Sequence, residues 1–342
     1  MSPKISVCIP TYNGEAFLEN CLKSVLSQTF QDIEVVIADD RSKDRTLEIA
    51  RHFAETDKRI KVYRNPVNCG PTNNFNWCLY LAQGEWVKFI FQDDLMASPD
   101  FLERMISQVD DAIGIACCRR QYVFDPGVDE GLMRWFKEKL KQWDDVYPGQ
   151  TKISAREVCR AALDVFPMNL FGEPSALLLK RDLIREYGMF NTNFIHSTDA
   201  ELSLRIASNR GLVFISDSPV IIHYHAKSTS SHNATHRRYS RDVLDHLVLL
   251  HEINFHPVFD RMREEARNGH PPVDLLGKFS YEVRMARAKA GEDPVCQEQL
   301  RKMERLYPAI RLCAGRVKIF STALNKVFGK VGLINAKPIR YY

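Results

Sequence analysis

Strands and helices alternate along the first hundred residues of the chain, and this alternation constrains the fold more than any other feature. Mainly apolar runs of strand length occur at residues 5–9, 33–38 and 60–63. Between them, apolar residues recur about every 3.6 positions, which predicts helices. A fourth apolar run begins at residue 87 and ends at two adjacent carboxylates. Short connections between alternating elements predict a mostly parallel sheet with helices on both faces.

The pattern changes after about residue 110. Helical patterns occupy residues 130–165, further strands are predicted at 176–179 and 212–224, and a helix begins near Asp199. From about residue 237 the periodicity is helical, without further alternation. We therefore predict an α/β domain over 1–236, divided near residue 95, and a helical C-terminal extension over 237–342.

Composition and charge exclude several classes of protein. With 47 basic and 43 acidic side chains, the formal charge of +4 gives no indication of nucleic acid binding. Nine cysteines without a C-x-x-C pair fit neither a disulfide framework nor a zinc site. The N-terminus lacks the apolar stretch of a signal peptide, and no run approaches the roughly 18 apolar residues of a membrane span. The sequence predicts a cytoplasmic protein.

Two pairs of carboxylates follow predicted strands, Asp39–Asp40 and Asp93–Asp94. Ligands bind beyond the carboxyl ends of strands in such sheets, so both pairs should share one crevice. Adjacent carboxylates repel each other and need a cation or donors, and oxygen ligands favour Mg²⁺ or Mn²⁺ bound together with a diphosphate. Tyr12 offers a face on which a base can stack, and no Walker or dinucleotide motif is present.

Two long segments carry a family resemblance. They read SVCIPTYNGEAFLENCLKSVLSQTFQDIEVVIADDRSKDRT from residue 6 and NCGPTNNFNWCLYLAQGEWVKFIFQDD from residue 68. Both resemble the family 2 glycosyltransferases, and weaker similarity continues to about residue 232. The resemblance implies a GT-A fold, which is Rossmann-like, with residues 1–95 as the nucleotide-sugar half and 96–236 as the acceptor half. It also implies inverting transfer of a sugar from a nucleotide diphosphate sugar.

The resemblance implies a nucleotide pocket formed by Pro10, Thr11, Tyr12, Asp39, Asp40, Asn68, Gly70 and Asp93. Within it, Asp40 is the preferred contact of the base. The metal, Mn²⁺ or Mg²⁺, would be held at Asp93 and Asp94, with His225 as a metal ligand or diphosphate contact. Phe91 departs from the commonest D-x-D-D form of the motif, because it stands where the first Asp would be.

The segment FIHSTDAELSLRI resembles the family segment that carries the catalytic base, which places Asp199 in that role. Thr198 replaces the Glu that usually precedes it. A carboxylate beside the acceptor hydroxyl, opposite the departing diphosphate, would remove the proton during attack. The similarity also implies that Glu173, Pro174 and Ser175 edge the donor-sugar and acceptor site.

The sequence thus predicts a glycosyltransferase that moves a sugar, from a UDP-sugar by default, to a hydroxyl of a glycan or lipid-linked acceptor in cell-surface polysaccharide or glycoconjugate synthesis. A non-catalytic nucleotide-sugar or glycan-binding protein is the alternative, since Phe91, Thr198 and His223 replace motif residues. A processive synthase is disfavoured because the Q-x-x-R-W signature is missing. Nucleotidyl transfer is disfavoured because no basic, Gly-rich loop follows the first strand.

The C-terminal residues 315–337 combine apolar positions at helical spacing with interspersed Lys and Arg. Two interpretations remain open for them. One is a helix that packs on the catalytic domain, and the other is peripheral contact with an anionic lipid surface at the inner face of the cell membrane.

Overall fold

A computed structural model describes residues 2–226, 228 and 242–313. Its strands are β1 (Ile5–Thr11), β2 (Ile33–Asp39), β3 (Ile60–Arg64), β4 (Trp86–Phe89), β5 (Leu95–Met96), β6 (Ile115–Phe124), β7 (Lys152–Ile153), β8 (Leu177–Lys180) and β9 (Leu212–Tyr224). Its helices up to residue 210 are α1 (Leu18–Leu26), α2 (Thr46–Thr56), α3 (Pro71–Leu81), α4 (Phe101–Gln108), α5 (Glu130–Glu138), α6 (Trp143–Val146), α7 (Ala155–Val165), α8 (Arg181–Tyr187) and α9 (Thr198–Arg210).

The strands of the described residues form one sheet in the order β3-β2-β1-β4-β8-β6-β9-β5, with β7 beside β9. The first four neighbours are parallel, as the alternation predicts. β8 then enters antiparallel to both β4 and β6, while β9 is parallel to β6. The parallel arrangement therefore holds for the half of the sheet formed by β1 to β4, and the other half is mixed.

The central strand β1 continues past its predicted end at Pro10. Its pairing with β4 stops at Cys8 and Phe89, whereas its pairing with β2 runs on to Thr11. Proline removes a backbone donor. Because Pro10 lies beyond the last β4 pair, that missing donor does not interrupt the β1–β4 ladder.

Apolar side chains alternate between the two faces of the sheet and form two cores. Val7 and Ile9 belong to one cluster together with Leu18 of α1 and Phe101 of α4. Cys8 belongs to the other, which also contains side chains of α3, α7 and α9. This period-2 alternation is what a sheet covered on both faces requires.

The described residues from 242 to 313 are mainly helical, as predicted. Its helices are α10 (Asp242–Phe255), α11 (Asp260–Asn268), α12 (Leu275–Glu292), α13 (Pro294–Leu306) and α14 (Pro308–Leu312). Their buried side chains, such as Leu247 and Phe279, belong to the same apolar cluster as Cys8 of the sheet. Burying one such side chain stabilises the fold by about 1.5–3 kcal/mol. The helical region therefore shares a core with the sheet.

Two expectations fall on residues that the structure does not describe. The boundary at 236/237 lies within 229–241, so the domain division stays a prediction. The segment 315–337 also lies outside the described residues. None of the described helices has the length and apolar character that crossing a membrane requires.

Candidate active site

The sequence-predicted polar residues meet at the carboxyl ends of the parallel strands. Thr11 ends β1 and pairs in register with Asp39, which ends β2. Asp93 and Asp94, here called the acidic ledge, follow the end of β4, the neighbour of β1 on its other side. The expected crevice at this edge of the sheet is therefore formed by adjacent strands.

Asp40 ties a neighbouring loop to this edge. Its carboxylate accepts hydrogen bonds from Cys69 N at 2.8 Å, Gly70 N at 2.9 Å and Asn65 Nδ2 at 2.9 Å, and its carbonyl oxygen accepts from Asn68 Nδ2 at 3.0 Å. Gly70 has a φ of 82°, which favours glycine just before α3 begins at Pro71. Three predicted nucleotide residues, Asp40, Asn68 and Gly70, thus form one unit, in which Asp40 has a structural role that the sequence did not reveal.

Asp39 is fully buried and has weaker internal contacts than Asp40. One carboxylate oxygen accepts from Ser42 N at 3.2 Å and lies 3.8 Å from Arg64 Nε, and the other lies 3.5 Å from Thr11 Oγ1. Each carboxylate offers about four acceptor positions. Asp39 therefore has acceptor capacity left, whereas several donors already occupy the Asp40 carboxylate. Which of the two would contact a base or ribose stays a prediction.

Tyr12 is 43% exposed, as a stacking platform requires. Its backbone is held by the side-chain amide of Gln92, which accepts from Tyr12 N at 3.0 Å and donates to Tyr12 O at 3.0 Å. A Cβ at Gly14 would collide with the same amide. Gln92 lies next to the acidic ledge in the chain, so it couples the Tyr12 loop to the ledge. Sequence reasoning missed this residue.

The acidic ledge carries more negative charge than its described partners balance. Asp93 Oδ2 lies 3.1 Å from His225 Nε2, and Asp94 Oδ1 accepts from His223 N at 3.1 Å. Burial, and then the charge of Asp93, raises the pKa of the Asp94 carboxyl well above its usual range. A bound cation would relieve both effects by stabilising the ionised form.

A buried lysine lies in the strand that leads to the ledge. Lys88 of β4 is fully buried, and its Nζ donates to the carbonyl oxygens of Phe89 and Ser175. Burial lowers the pKa of Lys88 to about 8, and the nearby Asp94 opposes that shift. Ser175, predicted to edge the sugar site, is itself fully buried and accepts from Phe91 N at 2.9 Å. Its observed contacts support the ledge, and Pro174 and Glu173 are the neighbours that line the open space.

The predicted metal ligand His225 is oriented toward the ledge. Its ring stacks on Phe17 at 4.0 Å between centroids, and its Nδ1 is buried without a hydrogen-bond partner among the described residues. Those residues contain no group of three His, Cys, Asp or Glu side chains arranged around one ion. The pair of Asp93 and His225 therefore fits a divalent cation that takes its remaining ligands from a diphosphate and water.

Asp199 lies in the first turn of α9, on the other side of the crevice. Its Oδ2 accepts from Asn169 Nδ2 at 3.1 Å, and Asn169 Oδ1 accepts from the backbone of Phe171 and Gly172. Burial, and then the negative charge of Glu173, raises the pKa of Asp199 to about 7. A carboxylate that titrates near neutrality matches the requirements of a general base.

Glu173 is held among aromatic hydroxyls and a buried cation. Tyr224 OH donates to it at 3.0 Å, Tyr122 OH lies at 3.4 Å, and Arg120 Nη1 lies at 3.8 Å. Arg120 is almost fully buried and also donates to backbone oxygens of residues 141 and 170. The arrangement fixes the Glu173 carboxylate beside the cavity, where it can accept from a ligand hydroxyl.

A cavity of about 590 Å³ lies beside Glu173 and Asp199. Phe91, two residues before Asp93, lines it and stacks on Phe75 at 5.0 Å between centroids. The other lining residues are Pro71, Thr72, Arg120, Leu132, Trp135, Phe136, Leu140, Asn169, Gly172, Glu173, Pro174, Ile195, His196, Ser197, Thr198, Asp199, Tyr224 and Asp242. A few polar groups among aromatic rings are typical of a small-molecule site.

Comparison with known proteins shows which family the first half of the chain resembles. The sequence model described as "Glycosyl transferase family 2" matches residues 6–165. Residues 6–165, just under half of the chain, are therefore similar to glycosyl transferase family 2. The match covers the acidic pairs of β2 and the ledge, whereas Asp199 lies beyond it. The match confirms the resemblance drawn from the two long segments.

Its relatives are similar over different lengths. "Uncharacterized protein MT1568" of Mycobacterium tuberculosis is 28% identical over 254 residues, 72% of this chain and 75% of the relative. The GalNAc(5)-diNAcBac-PP-undecaprenol beta-1,3-glucosyltransferase of Campylobacter jejuni is 39% identical over 97 residues, 28% of this chain and 31% of that protein. The alignment thus spans less than a third of the Campylobacter enzyme.

Solved structures share the GT-A fold. The mannosyltransferase PcManGT from Pyrobaculum calidifontis, solved with GDP-Man and Mn²⁺, has a TM-score of 0.53 at 19% identity, over 96% of this chain and 88% of that one. S. aureus TarS 1-349, solved with UDP-GlcNAc, has a TM-score of 0.54 at 17% identity, over 90% of each chain. The similarity extends over the helical region as well as the sheet.

Proposed function

We propose that this glycosyltransferase moves a sugar from a nucleotide diphosphate sugar to an acceptor hydroxyl, with inversion at the anomeric carbon. The observation that carries the proposal is the cavity itself. It runs from Phe91, beside the acidic ledge, to Asp199, whose pKa lies near 7. A donor on one side and a base on the other suit a direct displacement.

The donor nucleotide would lie at the edge of the parallel strands. Tyr12 would stack on the base, Asp39 or Asp40 would accept from the base or ribose, and the backbone near Asn68 and Gly70 would close the pocket. The two structural neighbours were solved with GDP-Man and UDP-GlcNAc, so they support a nucleotide sugar without choosing the base. A UDP-sugar remains our first choice.

The ledge would hold Mn²⁺ or Mg²⁺ through Asp93 and His225, with Asp94 behind them. When bound, the cation would offset the charge that grows on the diphosphate as it leaves. Gln92 would hold the Tyr12 backbone in place relative to the diphosphate. The positive charge of the buried Lys88 would offset part of the negative charge of the ledge.

Asp199 would take the proton of the acceptor hydroxyl during attack. Asn169 holds one carboxylate oxygen, which leaves the other for the acceptor. Glu173 would accept from a second hydroxyl of the sugar, because its position is fixed by Tyr122, Tyr224 and Arg120. In this arrangement the base is oriented before the acceptor arrives, which lowers the entropic cost of the reaction.

The acceptor would lie under α5. This helix has no buried residue, and its Leu132, Trp135 and Phe136 line the cavity together with Phe91. Aromatic faces suit the C–H face of a sugar ring or an apolar carrier. A glycan or lipid-linked acceptor fits this surface, and the Campylobacter relative is named for an undecaprenol-linked substrate. We propose action at the cytoplasmic face of the membrane in cell-surface glycoconjugate synthesis.

A thermal-shift panel of UDP- and GDP-sugars, with and without Mn²⁺, tests the proposal. A donor at about 100 times its Kd should stabilise the protein by about 2.7 kcal/mol, and more strongly with the metal. The same donor should release its nucleoside diphosphate slowly in water. Binding without any release, even in the presence of candidate acceptors, would favour the non-catalytic nucleotide-sugar-binding alternative. The absence of binding by every donor would refute both.

A further inference from the structure

The segment that leads into Asp199 is held by a carboxylate from the helical region. Asp245 lies on α10 and is fully buried. Its Oδ1 accepts from Ile195 N at 2.7 Å, and its Oδ2 accepts from His196 N at 2.6 Å and Ser197 N at 2.8 Å. Three successive backbone amides therefore converge on one side chain that lies 48 to 50 residues later in the sequence.

Successive N–H groups that point to one side form a concave anion site, which a carboxylate fills well. The hydrogen bonds are short, as expected of charge-assisted bonds. Because α9 begins at Thr198, directly after these amides, their position determines where the first turn of α9 and Asp199 lie. The direction of the Asp199 side chain thus depends on Asp245.

A second contact ties the same segment to the helical region. Asn193 Nδ2 donates to the hydroxyl of Tyr307 at 3.2 Å, and Tyr307 is buried where α13 meets α14. The segment 193–197 is therefore fixed from two directions by side chains that come after residue 241. By contrast, the Asn169 contact fixes only the carboxylate of Asp199 itself.

We propose that Asp245 is a positioning residue for the base of the transfer reaction, so that the helical region completes the active site. This rests on the proposed function, because it assumes that Asp199 is the base. Asp245 would contact neither the donor nor the acceptor. Its effect is transmitted through the amides of residues 195–197 to the first turn of α9.

The test compares Asp245→Asn with Glu252→Gln in the full chain. The asparagine keeps the shape of the side chain but places an NH₂ group against backbone N–H groups, so hydrogen bonds of the segment are lost. Glu252 is a buried carboxylate on the same helix, seven residues or about 10 Å further along its axis. It controls for the loss of a buried charge in α10.

Two quantities are measured on both variants, under conditions in which the two variants have the same thermal stability. The first is the hydrogen-exchange rate of the backbone amides of residues 195–197. Relative to wild type, this rate should rise about tenfold or more in Asp245→Asn and should not change in Glu252→Gln. Release of nucleoside diphosphate should show a kcat about 10- to 100-fold lower in Asp245→Asn, with donor Kd unchanged, since a small displacement of a base is costly.

Unchanged exchange in Asp245→Asn would overturn the proposal whatever the activity. So would a normal kcat in an active enzyme whose segment exchanges faster, because the segment would then not position the base. If the wild-type protein binds donors but releases no nucleoside diphosphate with any acceptor, the proposed function fails. In that case faster exchange would show a structural tie alone, and the catalytic part of the inference would fall with the function.

Discussion

The two acidic centres of the active site are built in different ways. The acidic ledge comes from one short stretch after β4 and is supported by neighbouring strands, through Lys88 and Ser175. Asp199 is oriented by Asn169 and, through its preceding segment, by Asp245. The ledge is therefore a local product of the sheet, whereas Asp199 is held by residues that are distant from it in the sequence.

Their electrostatics differ in the same way. Burial raises the pKa of both Asp94 and Asp199, but the next cause is the adjacent Asp93 in one case and Glu173 in the other. A bound cation reduces the repulsion between two neighbouring carboxylates. A single carboxylate with a pKa near 7 is suited to take up a proton. The comparison supports the proposed cation site at the ledge and the proposed proton transfer at Asp199.

Asp199→Asn should give the largest effect. The change keeps the side-chain shape but removes the base, so turnover should fall by about 10³-fold, within the range of general base catalysis. Because Asp199 is not among the proposed contacts of the donor nucleotide and its diphosphate, donor affinity should remain unchanged. Product formation and calorimetric titration with the donor measure the two quantities. Full turnover in this variant would disprove the assignment of the base.

Asp93→Asn should have a smaller effect on turnover, about 10²-fold, but should also weaken donor binding in the presence of Mn²⁺. It is the complementary variant to Asp199→Asn, since it impairs binding and turnover together. The exposed Asp217, which lies 3.8 Å from Arg104, provides the control Asp217→Asn. If Asp93→Asn retained metal-dependent binding, the cation would not lie at the ledge.

Much of the nucleotide side could be predicted from the sequence, because its signals are local. Apolar runs of strand length, followed by carboxylates, placed Asp39, Asp40 and the ledge at one edge of the sheet. Asp199 was found through the family resemblance of its segment. Its role stays a prediction, although the structure places it on the cavity as the prediction requires.

The remaining contacts depend on tertiary packing and have no local signal. Lys88 is charged in an otherwise apolar strand, and only the covered sheet shows that it is buried. The antiparallel entry of β8 follows from the path of the chain after α7, which periodicity does not encode. Asp245 in its helix resembles an ordinary surface residue until the amides of 195–197 meet it. A pattern reports which face is buried, but it does not report which distant segment covers that face.

The pH dependence of turnover separates the two centres further. A base must be ionised, and the pKa of Asp199 is raised to about 7, so kcat should fall as the pH decreases through 7. Between pH 8 and pH 6 the ionised fraction, and with it kcat, should decrease by about tenfold. Glu173 and Arg120 act on the pKa of Asp199 with opposite signs. The measurement needs saturating donor, acceptor and Mn²⁺, and a flat profile would contradict the role of Asp199.

Gln92→Ala should have the smallest effect, on the nucleotide side alone. It removes the two hydrogen bonds that hold the Tyr12 backbone, and a partly exposed hydrogen bond contributes about 0.5–1.5 kcal/mol. Donor affinity should therefore fall by about three- to tenfold, while kcat at saturating donor stays unchanged because Asp199 is untouched. Gln108→Ala, on α4, is the matched control. A fall in kcat without a change in donor affinity would mean that the Tyr12 loop also orients the reacting sugar, and the two sides of the cavity would then be coupled through the residue beside the ledge.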